Sequence, residues 1–145
     1  MGTLTLPISG RVYLDANCFI YSLDKVQPFA ELLERVWDAA FTGGLRLVSS
    51  ELTLLEALVG PLRKADSVLA GDVRALLESP DVELVRVDRE LLMDAATLRA
   101  KFGLKTPDAI HAATALASGC KMFLTNDKDF RRVNGLPVTV LSALV

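Results

Sequence analysis

Two acidic residues follow apolar runs, where an isolated charge would be costly to bury. Asp15 lies between residues 12–14 and residues 18–20, and Asp127 directly follows the largely apolar run of residues 122–126. A charge in such a place needs a partner group or a cation. Taken alone, each of these two residues also fits a turn or a helix cap.

Glu56 and Asp108 lie in segments with helical spacing. Leu52 is four residues before Glu56 and Val59 is three residues after it, so the spacing places this carboxylate on an apolar stripe. Its structural alternative is an ion pair with a nearby Arg or Lys. Asp108 falls in the first turn of a predicted helix that opens with Thr106-Pro107, where the helix dipole by itself favours an acid.

Gathered in one crevice, the four carboxylates would favour a divalent cation. Unit charges about 4 Å apart repel by several kcal/mol at an effective dielectric constant of about 20, so the group needs a cation or bound protons. Oxygen ligands without Cys or His select Mg²⁺ or Mn²⁺. Such ions hold a phosphodiester and lower the pKa of an attacking water, so no protein nucleophile is required. One His and two Cys exclude a His₃ metal site, a two-His nuclease and a Cys₂His₂ finger.

Alternating strand-like and helical runs must position these acids. Strands are predicted over residues 11–14, 45–48, 82–87, 121–125 and 138–141, and helical spacing covers 29–40, 52–62, 69–77, 91–102 and 106–118. Ser50 is expected to cap its helix and Gly60-Pro61 to interrupt it. This alternation predicts an α/β fold, a three-layer α/β/α sandwich around about five parallel strands. Ligands of such sheets bind outside the carboxyl ends of the strands, where Asp15 and Asp127 are expected.

Composition limits the class of protein further. A chain of 145 residues corresponds to about one domain, and 51% apolar with 23% charged residues fits a globular protein. A net charge of −2 excludes a grossly basic nucleic-acid coat protein but allows local phosphate binding. With no signal peptide and no run of about 20 apolar residues, we expect a cytoplasmic protein without a membrane span. Cys18 and Cys120 are expected to be reduced thiols.

Four stretches carry a family resemblance, in the order Asp15-Ala16-Asn17-Cys18-Phe19-Ile20-Tyr21, Leu54-Leu55-Glu56-Ala57-Leu58, Thr106-Pro107-Asp108-Ala109-Ile110-His111-Ala112-Ala113 and Leu124-Thr125-Asn126-Asp127-Lys128-Asp129-Phe130. They resemble the acidic motifs of PIN-domain ribonucleases over about residues 11–141. The branch they resemble most is VapC, the toxin of VapBC-type toxin–antitoxin pairs. The second and third of the four PIN acids would then be Glu56 and Asp108.

This resemblance implies an endoribonuclease that depends on Mg²⁺ or Mn²⁺ and cuts RNA. The acidic site residues would be Asp15, Glu56, Asp108 and Asp127, with Asn17 or Thr125 assisting and Asp129 as the less favoured substitute for Asp127. It also implies a homodimer and a small antitoxin that blocks the site. Residues 1–145 are expected to form a single PIN-like domain, and the leader at 1–10 departs from the family pattern, in which the first Asp often lies nearer the start. Two alternatives remain open within the fold: an RNA-processing nuclease without a toxin role, and an inactive scaffold that binds a partner or RNA.

Three other phosphate-related sites fit the same region less well. A HAD-type phosphotransferase needs a second Asp where Asn17 stands, and a response-regulator receiver needs paired acids where only Asp15 is present. A Rossmann site needs a glycine-rich first turn, and residues 15–17 contain no glycine. Of the remaining polar and aromatic residues, Asn17 is expected first as a helix cap, His111 as a structural residue and Trp37 as part of the core.

Overall fold

The computed structural model describes residues 2–145 as one five-stranded parallel sheet with helices on both faces. The strands are β1 (Arg11–Leu14), β2 (Arg46–Ser50), β3 (Val82–Val85), β4 (Met122–Thr125) and β5 (Val138–Val140). The helices are α1 (Ala16–Leu23), α2 (Phe29–Phe41), α3 (Leu52–Arg63), α4 (Ser67–Leu77), α5 (Arg89–Phe102) and α6 (Thr106–Ala117). The predicted three-layer α/β/α sandwich is therefore confirmed.

The strand order, β3-β2-β1-β4-β5, places β1 at the centre of the sheet. Val12 pairs in register with Leu47 of β2 on one side and with Met122 of β4 on the other. The chain builds outward from β1 through β2 to β3 and only then crosses to β4, so the direction of winding reverses between β1 and β4. Ligands of open parallel sheets bind at this kind of switch point, outside the carboxyl ends of the two strands.

Alternation along the strands divides the core between two helical layers. Val12, Leu14 and Leu124 face the layer of α1 to α4, whereas Tyr13 and Phe123 face the layer of α5 and α6. The small alanines of α6 are almost fully buried, which lets this helix lie close to the sheet; they are Ala109, Ala112, Ala113 and Ala115. Two buried layers hold the carboxyl edge of the sheet rigidly in place.

Two expectations about α3 are wrong. The helix runs without interruption through Gly60-Pro61 to Arg63, because a proline in the last turn removes only one helical N–H. Beyond the helix end, the Pro61 carbonyl accepts a 2.9 Å hydrogen bond from the backbone N–H of Asp66. Glu51 rather than Ser50 precedes the first helical residue, although the Ser50 hydroxyl accepts from the Leu52 N–H at 3.1 Å.

Trp37 and the cysteines lie as the sequence indicates. Trp37 is buried in the core, where its indole N–H donates to the Ser22 hydroxyl at 3.0 Å. Cys18 is buried and Cys120 partly buried, and both are free thiols. Within residues 2–145, no helix is long and apolar enough to cross a membrane.

The leader before β1 packs onto the domain. Met1 lies outside the described residues, and residues 2–10 form neither helix nor strand. Leu4 is nevertheless only 1% exposed and belongs to the core on the α1 to α4 side of the sheet, whereas Ile8 is 96% exposed. This segment is thus part of the folded domain.

Replacing Leu4 by alanine should therefore destabilise the protein, by about 2–5 kcal/mol for a fully buried leucine. The matched control is Ile8→Ala, which removes an equally apolar but exposed side chain and should change stability by less than about 0.5 kcal/mol. Urea unfolding followed by circular dichroism measures both. Equal stability of the two variants would show that the leader is detached in solution.

Candidate functional site

A cavity of about 210 Å³ opens at the carboxyl edge of the sheet, beside the switch point between β1 and β4. Four carboxylates line it, and each comes from a different segment: Asp15 follows β1, Glu56 lies on α3, Asp108 on α6 and Asp127 after β4. Asn17, His111, Ala16, Ile20 and Phe130 complete the lining. The structure thus brings together four acids that span more than 110 residues of sequence.

Asp15 is the most buried of these acids, with 6% of its surface exposed. Its carboxylate caps α1 by accepting from the Cys18 N–H at 3.3 Å, and its second oxygen accepts from the Thr125 hydroxyl at 2.5 Å. Burial raises the pKa of the Asp15 carboxyl above its ordinary value, and the hydrogen bond from Thr125 offsets part of that rise. The fold therefore holds a carboxylate whose charge is only partly compensated.

Thr125 links the two strand ends at the cavity. While its hydroxyl donates to Asp15, the same oxygen accepts from the backbone N–H of Asp127 at 3.0 Å. Asp127 in turn accepts from the Asp129 N–H at 2.8 Å and caps the short 3-10 turn Lys128–Arg132. One buried hydroxyl thus fixes the position of the Asp127 backbone relative to Asp15.

The geometry distinguishes Asp127 from Asp129. Asp127 lines the cavity, whereas Asp129 forms an exposed ion pair with Arg132 at 3.2 Å. Asp127 is therefore the better placed of the two to act with Asp15.

Asp108 is the acid with the least compensation. It lies in the first turn of α6, and the hydrogen bonds of the described residues include none to its carboxylate. Burial raises the pKa of the Asp108 carboxyl, and the negative charges of Asp127 and Glu56 raise it further, while Lys105 partly opposes the shift. This side chain is left free to bind something else.

Glu56 belongs to a chain of three hydrogen-bonded side chains. His111 is 3% exposed, and its Nε2 lies 2.5 Å from a carboxylate oxygen of Glu56. Its Nδ1 lies 2.6 Å from the hydroxyl of the buried Tyr13. The sequence indicated a structural role for His111, but Tyr13 and this linkage were missed. The available signals were that His111 follows Asp108 by one helical turn and that Tyr13 precedes Asp15 by two residues.

The expected capping role of Asn17 is wrong. Asp15 caps α1, so Asn17 falls inside the first turn of that helix, where it is exposed and lines the cavity. Only a residue just before the first turn can direct its side chain to the free N–H groups of that turn, and Asp15 already occupies that place.

The thiols offer no alternative nucleophile. Burial raises the pKa of Cys18 well above its ordinary value, and the Cys18 thiol donates to the Leu124 carbonyl at 3.4 Å. Burial also raises the pKa of Cys120 to about 11. Neither residue is a thiolate at neutral pH, so the chemistry of the cavity rests on its carboxylates.

The donor set of the cavity fits a hard cation. Its carboxylates are oxygen donors, and both nitrogens of the single imidazole are already engaged. Among residues 2–145, however, no three His, Cys, Asp or Glu side chains form a ready-made group that could hold an ion. Mg²⁺ does not require one, since it usually keeps several waters and binds through one or two carboxylates and the substrate phosphates. The residues thus fit such an ion without forming a closed cage.

Comparison with solved structures shows the same fold in bacterial toxin–antitoxin proteins. VapBC2 from Rickettsia felis bound to a promoter DNA fragment matches with a TM-score of 0.71 and 18% identity, covering 90% of this chain and 98% of that one. A toxin–antitoxin complex from Klebsiella pneumoniae matches with a TM-score of 0.69 and 24% identity, covering 89% of this chain and 96% of that one. Mycobacterium tuberculosis VapC20, a sarcin-ricin loop cleaving toxin, matches with a TM-score of 0.69 and 17% identity, covering 83% of this chain and 92% of that one. No curated protein matched the sequence significantly.

A family model settles the classification. The model for the PIN domain matches residues 12–136, which include all four acids of the cavity, strands β2 to β4 and all of β1 except Arg11. The resemblance seen in the sequence motifs is thereby confirmed, and the chain belongs to the PIN domain family.

Proposed function

We propose that this protein is a metal-dependent endoribonuclease that hydrolyses RNA phosphodiester bonds, acting in the cytoplasm as the toxin of a type II toxin–antitoxin pair. The observation that carries the proposal is the convergence of Asp15, Glu56, Asp108 and Asp127 on one cavity at the switch point of the sheet. Asp15 and Asp127 also cap helical turns, but capping does not require four carboxylates to face one another, and burial in the cavity raises the pKa values of Asp15 and Asp108.

Some residues of the cavity would bind the metal ion, and others position the residues that bind it. Asp15, Glu56, Asp108 and Asp127 would hold Mg²⁺ or Mn²⁺, with Asn17 near the opening. Such an ion, when bound, activates a water and stabilises the charge of the cleaved phosphodiester. Thr125 keeps Asp15 and the backbone of Asp127 in place through the hydrogen bonds described above. No side chain needs to form a covalent intermediate.

Basic residues near the cavity support a phosphate-containing substrate. The charge of Lys105 acts on Asp108, which places this lysine close to the acids. Arg63 and Lys64 line a second cavity of about 210 Å³ that shares Glu56 and Ile20 with the first. Cations at the rim attract the phosphates of a strand whose scissile bond lies over the acids. Single-stranded RNA suits such a site, because proteins that recognise RNA sequence mostly read unpaired bases.

The proposed partners follow from the structural relatives. Two of the relatives described above are toxin–antitoxin complexes, which supports a small antitoxin protein that binds this chain. That this antitoxin blocks the site is proposed on the family resemblance. A homodimer is proposed on the family resemblance and is tested by light scattering of the purified protein. The toxin role is tested by induced expression, which should arrest growth unless a small protein encoded beside it is co-expressed. Cleavage without growth arrest would favour an RNA-processing nuclease instead.

The nuclease activity is tested directly on purified protein freed of any antitoxin. Single-stranded RNA should be cut after dialysis against EDTA only when Mg²⁺ or Mn²⁺ is restored. Gel analysis of a labelled RNA measures the product. Cleavage that persists in EDTA would contradict the proposed chemistry, and absence of cleavage with either ion would favour the inactive scaffold.

As the pH is lowered, the affinity for the metal ion should begin to fall at a higher pH than it would at a site of exposed carboxylates. Because burial raises the pKa values of Asp15 and Asp108 above the ordinary 3.8, protons compete with the ion further towards neutrality than at exposed carboxylates. Calorimetric titration with Mn²⁺ between pH 7.5 and pH 4.5 should show an affinity that falls as the pH is lowered. At the lower pH the binding enthalpy should depend on the buffer, because the buffer takes up the protons that the carboxyls release. A constant affinity over this range would contradict the prediction.

A further inference from the structure

The imidazole of His111 is buried between two polar groups from different elements. On one side it meets Tyr13 of β1 at 2.6 Å, and on the other it meets Glu56 of α3 at 2.5 Å. Only 4% of its side-chain surface is exposed, whereas 29% of Glu56 is. Both residues line the cavity, and the Glu56 carboxylate is the more exposed of the two.

The hydrogen-bond chain has a defined direction at its Glu56 end. The Glu56 carboxylate accepts, so the Nε2–H of His111 donates to it. At the other end Tyr13 is fully buried, and its hydroxyl donates to Nδ1 of a neutral ring or accepts from the Nδ1–H of a protonated one. The phenol ring is itself fixed, since it stacks on Phe123 with centroids 4.9 Å apart and planes 3° from parallel.

We propose that His111, oriented by Tyr13, is a positioning residue that holds the Glu56 carboxylate for a divalent cation. The inference rests on the proposed function, because it presupposes that the cavity binds such an ion. The same ring ties together three elements that carry acids, since Asp108 lies on α6 with His111, and Asp15 follows the strand of Tyr13. The imidazole of His111, carried by α6, thus links that helix to β1 and to α3.

The decisive measurement is the affinity of the metal-free full-length chain for Mn²⁺, followed by electron paramagnetic resonance of the free ion. Loss of a hydrogen-bond partner behind a metal ligand commonly costs 10–100-fold in affinity, and we expect a loss in this range for His111→Ala. Tyr13→Phe keeps the stacked ring but removes the hydroxyl, so its loss should be smaller. His111→Gln retains an N–H near the position of Nε2 and should recover part of the affinity.

A double-mutant cycle separates positioning from general damage to the fold. If His111 acts through Glu56, then His111→Ala should lower the Mn²⁺ affinity much less in a Glu56→Gln background than in the wild type. The matched control is Thr114→Ala on the same helix, whose buried hydroxyl donates to the Ile110 carbonyl at 2.6 Å. This control should keep wild-type affinity even where its melting temperature falls.

The outcomes distinguish this inference from the proposed function. Wild-type affinity in His111→Ala, or an equal loss in both Glu56 backgrounds, would overturn the positioning role while leaving a wild type that binds Mn²⁺ and cuts RNA. A wild-type protein that binds no Mn²⁺ would overturn both. Three results together would establish the role. The Mn²⁺ affinity falls in His111→Ala, it recovers in part in His111→Gln, and adding His111→Ala to Glu56→Gln lowers it little further.

Discussion

Replacing Asp108 by asparagine should abolish RNA cleavage and leave the metal-free protein at least as stable as the wild type. Cleavage is expected to fall by more than about 100-fold, because one of the four carboxylates proposed to hold the ion is replaced by a neutral amide. Stability should not fall, because no hydrogen bond to the Asp108 carboxylate is found in residues 2–145. In addition, the negative charges of Asp127 and Glu56 repel the negative charge of Asp108. Activity and stability thus move in opposite directions.

The pH dependence follows from the raised pKa of Asp108. A carboxyl whose pKa is raised on folding contributes stability below its unfolded value of 3.8 and loses that contribution as the pH rises through the folded value. The advantage of Asp108→Asn over the wild type should therefore be greatest at neutral pH and vanish near pH 4. Thermal melting in EDTA between pH 4 and pH 7.5 measures this difference.

The matched control for Asp108→Asn is Asp72→Asn, which makes the same change at an exposed position of α4. This variant should cut RNA at the wild-type rate and keep the wild-type rise in melting temperature on addition of Mn²⁺. Asp108→Asn should lose most of that rise. If Asp108→Asn retained full cleavage, or if Mn²⁺ stabilised both variants equally, the cavity would not be the metal site.

The fold was largely predictable because it depends on local patterns. Strands β1 to β5 each lie within two residues of the predicted bounds, since a short apolar run between turn residues is readable without its partners. The error at Gly60-Pro61 came from treating a local helix breaker as decisive, and the error at Ser50 placed the cap one residue too early. The position of Pro61 in the last helical turn makes its cost small, and that position depends on where the helix ends.

The sequence predicted that the four acids converge and named Thr125 as an assisting residue, but it did not predict the hydrogen bonds that position them. Asp15 and Asp127 were each weighed as either a cap or a site residue, and the structure shows that both cap a helical turn while lining the cavity. A cap position at the end of a central strand serves both roles, so the two interpretations never excluded each other.

The supporting hydrogen bonds could not be predicted, because they join residues far apart in sequence. Tyr13 and His111 are 98 residues apart, His111 and Glu56 are 55 apart, and Thr125 and Asp15 are 110 apart. Only the strand order, which puts β4 directly beside β1, brings Thr125 to Asp15. No local periodicity carries that information.

Replacing Thr125 by valine should damage both stability and catalysis, because one hydroxyl serves two acids. Valine keeps the shape and strand preference of threonine but removes the donor to Asp15 and the acceptor for the Asp127 N–H. Leaving buried polar groups unsatisfied costs about 1–3 kcal/mol, so urea unfolding should show a loss of this size. Without that donor, the pKa of Asp15 should rise further, and Mn²⁺ affinity at pH 6.5 should fall by about 10–100-fold.

Two controls make the effect of Thr125→Val specific to its hydroxyl. Thr125→Ser keeps the hydroxyl and should keep most of the Mn²⁺ affinity, although losing a buried methyl group lowers its stability. Thr139→Val places the same substitution on the neighbouring strand β5, opposite Leu124, and should leave affinity unchanged. If Thr125→Val bound Mn²⁺ as tightly as Thr125→Ser, the hydrogen bond would be dispensable. The strand packing around β1 and β4 alone would then position Asp15 and Asp127.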